Sequence, residues 1–194
     1  MKQISKSDFM ENVDFYAEQM RAGKIFIYPT DTLFGIGCDA TNPDAVAKIF
    51  EIKKRDAKKS LLFIAPSLQW IADNCSLNIL AKKQMLEKLP GPYSFIVNLK
   101  NKEAVSPNLS QHGDTVGVRV PRGWFNGVIS YLGRPFVSTS VNLSGEPPAT
   151  KISEIDTSIL EQVDYVVSSD WDELSGRSST VIDVTWKQPI VLRK

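Results

Sequence analysis

A chain of 194 residues, 42% hydrophobic and 23% charged, is sized for one domain with its own core and is too apolar to stay disordered. A net charge of +1 excludes the global basic field that drives bulk nucleic-acid binding, so any RNA contact must use a local patch. Apolar runs such as 61–66 are too short to cross a bilayer, and residues 1–30 lack a signal-peptide layout. With Cys38 and Cys75 far apart and outside any C-x-x-C pair, the expectation is a cytoplasmic protein with reduced thiols and no membrane association. One histidine, His112, and two distant cysteines argue against a structural zinc site and against a Ser-His-Asp or Cys-His hydrolase.

In chain order, the pattern predicts a first helix capped at Ser7, with Phe9, Val13, Tyr16, Ala17 and Met20 on one face and Gly23 as its stop. A buried strand follows at 24–28. Asn42-Pro43 is a cap and first-turn pair for a second helix that turns Ala45, Val46, Ile49 and Phe50 inward. Strand 61–65 precedes helical stretches at 68–72 and 77–89, the second broken by Pro90-Gly91-Pro92. Strand 93–99, an irregular loop over 101–113, strand 116–120 and helix 124–132 ending at Gly133 come next. Strand 135–139, helix 152–162 and strands 165–167, 180–184 and 189–192 complete the order. No repeat or linker divides the chain, so one domain over 1–194 is expected. Alternating helices and strands, with adjacent strands late in the chain, predict an α/β architecture on a twisted, open, mixed sheet with flanking helices.

Chemistry-bearing residues gather at strand ends, where open α/β sheets bind ligands. Tyr28-Pro29-Thr30-Asp31-Thr32 puts two hydroxyls and a carboxylate directly after a strand, with Gly35 and Gly37 read as turn glycines. A hydroxyl-rich structural turn accounts for that spacing as well as a ligand loop does. Lys53-Lys54-Arg55, followed by Lys58 and Lys59, either complements the dipole of the second helix or clamps a polyphosphate. Arg119 alternates with Val118 and Val120 and so faces away from them; an arginine in such a strand has a specific anionic partner. Ser138 to Gly145 forms either an anion-binding concavity or a set of local turn bonds. No G-x-x-x-x-G-K-[ST] is present, so a P-loop is absent.

Taken together, Y-P-T-D-T-x-x-G-x-G, K-x-R, P-G-P, G-V-R-V-P, S-x-N-x-S-G, S-T-V-I-D and a terminal L-R occur in the order found in the YrdC/Sua5 family, which the chain resembles over about residues 20–193. The length is similar to the short, single-domain YrdC type. The resemblance implies a YrdC-like fold around a large basic cavity. It also implies an activity: condensation of L-threonine, bicarbonate and ATP into threonylcarbamoyl-AMP with release of pyrophosphate. Partner proteins, the tRNA-threonylcarbamoyl transferase machinery, would then modify adenosine 37 of tRNA, with direct RNA contact an open expectation. Mg2+ is expected to accompany ATP.

Carried over residue by residue, the resemblance implies that Lys53, Arg55, Ser140 and Asn142 hold the nucleotide's phosphates. Lys53 and Arg55 would act in catalysis, Thr32 and Arg119 would hold threonine, and Thr115, Ser179 and Arg193 would complete the nucleotide contacts. No dedicated protein metal site is implied. The chain departs from the family pattern at Asp56, Ser60, Leu89, Ser94 and Val141, with Asp56 placing a carboxylate next to Arg55. Two other readings compete: a non-catalytic RNA-binding or ribosome-maturation module, and a YciO-like sibling, a branch that resembles the family without K-x-R and S-x-N.

Overall fold

The computed structural model describes residues 1–56, 59–109, 114–168 and 174–193, so Lys58 and His112 lie outside the described residues. The chain opens with a strand, β1 (Lys2–Ser5), then α1 (Lys6–Glu11) and α2 (Val13–Arg21). The single helix expected over this stretch is broken at Asn12, and its cap is Ser5 rather than Ser7, Ser5 accepting from the Asp8 N–H. β2 (Phe26–Pro29) and β3 (Phe34–Gly37) precede α3 (Pro43–Ile52), where Asn42 caps as expected, its side chain accepting from the N–H groups of Asp44 and Ala45. β4 (Leu62–Ile64), α4 (Leu68–Asn74), β5 (Cys75–Ser76), α5 (Ile79–Lys88), β6 (Tyr93–Leu99) and β7 (Thr115–Arg119) follow. Next come α6 (Trp124–Leu132), β8 (Phe136–Val137), β9 (Thr139–Ser140), α7 (Thr157–Leu160), β10 (Tyr165–Ser168), β11 (Thr180–Asp183) and β12 (Ile190–Arg193).

These strands form two mixed sheets rather than one. The first has five strands in the order β1-β10-β2-β3-β9. The second has seven, in the order β12-β11-β6-β7-β4-β8, with β5 also on β6. The segment 136–140 stitches them together: β8 pairs with β4, β9 pairs with β3, and the Val137 N–H donates to the Cys38 carbonyl at 2.8 Å between the two.

The glycines of β3, expected at turns, lie in a strand and answer a close approach. A Cβ on Gly37 would overlap the Val137 carbonyl oxygen, so only glycine lets β8 pass against β3. β2 is apolar throughout because both of its faces are covered. Ile25 and Ile27 enter a cluster with α3, Phe63, Phe95 and Val118, while Phe26 and Tyr28 enter a second with α1, α2 and α6. There Tyr28 stacks on Phe125 with ring centroids 3.6 Å apart and donates its hydroxyl to the Val137 carbonyl at 3.4 Å. The C-terminal half of the expected 152–162 helix is only the four residues of α7, preceded by a 3-10 turn at Ile152–Glu154.

Candidate active site

α3 ends in a reversal that aims two cations in different directions. Lys54 adopts a left-handed φ of 47°, and around it the Arg55 N–H donates to the Phe50 carbonyl at 2.9 Å and the Lys54 N–H to Glu51 at 3.0 Å. This is the Schellman pattern, with lysine at the position where glycine is usual. The K-x-R spacing therefore places Lys53 before the reversal and Arg55 after it.

Lys53 is only 2% exposed, and its ammonium points at the loop carrying S-x-N. Nζ donates to the Ser140 carbonyl, to the Asn142 carbonyl at 2.8 Å and to Asn142 Oδ1 at 3.2 Å, which matches its three donors to three acceptors. The Ser144 N–H donates back to the Lys53 carbonyl at 2.9 Å. Asn142 is equally committed: Oδ1 accepts the Ser140 hydroxyl at 2.6 Å, and Nδ2 donates to the carbonyls of Leu143 and Glu146 at 2.8 and 2.9 Å. Burial, followed by the neighbouring Arg55 guanidinium, pushes the Lys53 pKa down to about 7. Lys53 and Asn142, expected as phosphate contacts, are bonded here to each other and to the loop that carries Ser140.

That loop borders a polar cavity of about 180 Å3 lying over the face of β7 that carries Arg119. The opposite face sends Val116 and Val118 into the core, so the alternation expected around Arg119 is the one observed. The walls are the β2–β3 turn with Thr30 and Thr32, Arg55 and Ser60 after α3, Ser138 to Ser140 on the β8–β9 segment, and Ser178, Ser179 and Arg193. Arg55, Arg119 and Arg193 line it, and among the described residues no carboxylate does. A wider cavity of about 800 Å3 adjoins it through Ser178 and Arg193, adding Asp31, Tyr93, Arg122 and Arg177.

The arginines are held in two ways, Arg55 and Arg193 by main-chain carbonyls and Arg119 by a carboxylate. Arg55 donates through Nε to the Lys59 carbonyl at 3.2 Å and through Nη2 to the Ser60 carbonyl at 2.9 Å. Partial burial lowers its pKa, yet a guanidinium keeps its charge at any physiological pH. Arg193 donates through Nε and Nη2 to the Ser179 carbonyl at 3.2 and 2.9 Å. The Ser179 hydroxyl meets that of the fully buried Ser94 at 2.8 Å. Arg119 is different: its Nη2 forms an ion pair with Asp31 at 2.6 Å, its Nη1 reaches Thr32 Oγ1 only at 3.5 Å, and its buried Nε has no hydrogen-bond partner among the described residues.

Of the residues expected at the site, Thr32, Arg55, Arg119, Ser140, Ser179 and Arg193 are brought together on one cavity. Lys53 and Asn142 stand behind its wall. Thr115 shares the Arg119 face of β7 but sits at the strand's other end, roughly 13 Å away at strand rise, donating to Asn98 Oδ1 at 3.2 Å. Asp56 and Val141 are outside the lining, whereas Ser60 lies in it. Sequence reasoning missed Asp31 as a site residue although it stands inside the P-T-D-T run; the signal available was a carboxylate required somewhere opposite the mid-strand Arg119.

The Sua5/YciO/YrdC family model, described as telomere recombination, matches residues 18–194. Threonylcarbamoyl-AMP synthase of Photobacterium profundum is 30% identical over 174 residues, covering 88% of this chain and 91% of that protein. A putative threonylcarbamoyl-AMP synthase of Methanocaldococcus jannaschii is 32% identical over 192 residues, covering 99% and 89%. Among solved structures, P. abyssi Sua5 complexed with L-threonine superposes with a TM-score of 0.86 at 27% identity; the match covers 98% of this chain but 56% of that one, so this chain spans little more than half its length. E. coli YciO superposes at 0.85 with 26% identity, covering 99% and 93%. On the match of its sequence and its fold together, the chain belongs to the Sua5/YciO/YrdC family.

Proposed function

We propose that this chain is a threonylcarbamoyl-AMP synthase, condensing L-threonine, bicarbonate and ATP into threonylcarbamoyl-AMP and pyrophosphate. The observation that carries the reading is the cavity itself: three arginines and a ring of hydroxyls, with no carboxylate in the lining among the described residues, suit a polyanion and an amino-acid carboxylate held side by side. Relatives carrying that name match it over most of their length.

The threonine amine adds to bicarbonate with loss of water, giving a carbamate. A carbamate oxygen then attacks the α-phosphorus of ATP, and the bond to the β-phosphate oxygen breaks as pyrophosphate leaves. No step needs a covalent bond to the protein, so the chain's contribution is positioning and charge stabilisation. Arg55 and Arg193 take the triphosphate, and Ser140, Ser179 and the more remote Thr115 are assigned to the nucleotide. Arg119 and Thr32 hold threonine. Lys53 and Asn142 keep the Ser140 loop in register.

Mg2+ belongs to this proposal as a companion of ATP. Among the described residues no cluster of three His, Cys, Asp or Glu is built to cage it, and magnesium takes phosphate oxygens and water readily. The product would pass to the tRNA-threonylcarbamoyl transferase machinery, and any direct RNA contact would use the arginines around the wider cavity. Among the described residues no helix is long and apolar enough to cross a membrane. Cys38 and Cys75 are unpaired and buried, their thiol pKa values pushed up by burial, which suits a reducing cytoplasm. The non-catalytic RNA-binding reading is not favoured. The YciO-like reading loses ground because K-x-R and S-x-N are both present and interlocked through Lys53 Nζ.

The test is pyrophosphate release by the purified protein with ATP and Mg2+. Release that requires both L-threonine and bicarbonate, and falls with serine, supports the synthase. Absence of release, with RNA binding present, overturns it.

A further inference from the structure

The cavity must sort two anions. A triphosphate and an amino-acid carboxylate both seek guanidinium groups, and three such groups line a space of about 180 Å3. They differ in how their charge is met. Arg55 and Arg193 are bonded to neutral main-chain carbonyls, at Lys59, Ser60 and Ser179, which leave their positive charge without an ion-pair partner among the described residues. Arg119 is paired with the Asp31 carboxylate at 2.6 Å, with both side chains largely buried at 7% and 15% exposed.

The second oxygen of Asp31 is also occupied. Oδ2 accepts the Arg122 main-chain N–H at 3.1 Å, so one carboxylate on the β2–β3 turn of the first sheet grips both the end of β7 and the turn beyond it in the second. The carboxylate is thereby fixed in two directions, and the guanidinium it holds is fixed with it. One Nη2 bond is firm, while among the described residues Nε is buried with no partner and Nη1 has only the long contact to Thr32. Of the five N–H donors of a guanidinium, those left unengaged are the ones a substrate oxygen would take.

We infer that Asp31 is a positioning and specificity-determining residue: it holds Arg119 in place and, by offsetting its charge, reserves it for the monoanionic carboxylate of the amino acid while leaving the polyphosphate to Arg55 and Arg193. The inference rests on the synthase reading for the identity of the two ligands. Physically it is a like-charge argument. A phosphate group brought to Arg119 must approach Asp31, and the repulsion grows with the anion's charge, so a polyphosphate loses more than a carboxylate does.

The experiment has two parts, and each begins from wild-type protein whose threonine-dependent pyrophosphate release has been established; if the wild type has none, the synthase reading fails and not this one. In the first part, imidodiphosphate, a non-hydrolysable pyrophosphate analogue, is titrated against each substrate. Competition with ATP and not with threonine is expected; competition with threonine overturns the inference. In the second, Asp31→Asn is compared with Asp31→Glu. Asp31→Asn should raise the KM for threonine at least tenfold, leave the KM for ATP within about twofold, and make imidodiphosphate compete with threonine. Asp31→Glu should restore part of the threonine KM. A merely structural role would raise both KM values together or lower kcat alone, and either result overturns the inference. If Asp31→Asn does not fold, the wild-type inhibition pattern decides.

Discussion

Replacing Lys53 with methionine keeps an unbranched side chain one atom shorter and removes every hydrogen bond the ammonium makes. Two main-chain carbonyls, of Ser140 and Asn142, lose a donor, whereas Asn142 Oδ1 keeps the Ser140 hydroxyl. Each orphaned acceptor costs about 1–3 kcal/mol. Part of that is offset because burying an ammonium was itself unfavourable, as a pKa lowered to about 7 records. A net loss of about 2–3 kcal/mol is expected near neutral pH, which for a domain of this size lowers Tm by roughly 4–12 °C. The sign of the pH dependence follows from the same shift. Unfolded lysine keeps its proton up to its ordinary value of 10.5, while folded Lys53 sheds it above about 7, so the unfolded state binds more protons between these limits. Wild-type stability from this group therefore rises with pH across that window, and the gap between wild type and Lys53→Met widens from pH 7 to pH 9. Activity should fall about 100-fold because the Ser140 loop is displaced, the size of loss expected from a shift near 1 Å. Thermal denaturation of the ligand-free protein at pH 6, 7, 8 and 9 is the assay. An unchanged or raised Tm with only the KM for ATP increased would mean that Lys53 serves the phosphates directly and is not a fastener.

Arg55→Ala should lower kcat/KM about 10²–10³-fold, the loss of one charged contact on the developing pyrophosphate, with Tm moving by less than it does for Lys53→Met; steady-state kinetics at varied ATP read the effect. Lys54→Gly removes a non-glycine residue from a left-handed φ of 47°, and stability should rise by about 1 kcal/mol without loss of activity, as seen by denaturant titration. Gly37→Ala forces a methyl group against the Val137 carbonyl, so the β3–β8 approach must open; a loss above about 2 kcal/mol in stability is expected, or failure to fold, and a near-neutral effect would contradict the close-approach account.

Elements with local signals were legible in the sequence. β6 and α6 have the bounds their patterns gave, and α3 begins at Asn42-Pro43 because a cap and a first-turn proline act within one helical turn. β3 was not legible: Gly35 and Gly37 serve contacts with Tyr28 and Val137, one of them 100 residues away in sequence, and nothing nearby distinguishes them from turn glycines. The same limit applies to the two-sheet arrangement, which depends on the segment 136–140 changing sheets within five residues. At the site, residue types and the family pattern pointed to Thr32, Arg55, Arg119 and Arg193, which the fold brings to one cavity. They did not reveal that Lys53 Nζ turns toward a loop 87 residues further on, or that Asp31 is the partner the mid-strand arginine required. Those are facts of where chain segments return, and they decide which side chains line the cavity and which stand behind its wall.

The central claim is tested most directly by supplying the protein with L-threonine, 13C-bicarbonate and ATP and identifying the adenylate product by mass spectrometry. The account predicts a mixed anhydride of AMP containing one threonine and one 13C-labelled carbonyl, formed in step with pyrophosphate. Hydrolysis of ATP to ADP, or release of AMP with no labelled anhydride even when the product is sampled immediately, would contradict it.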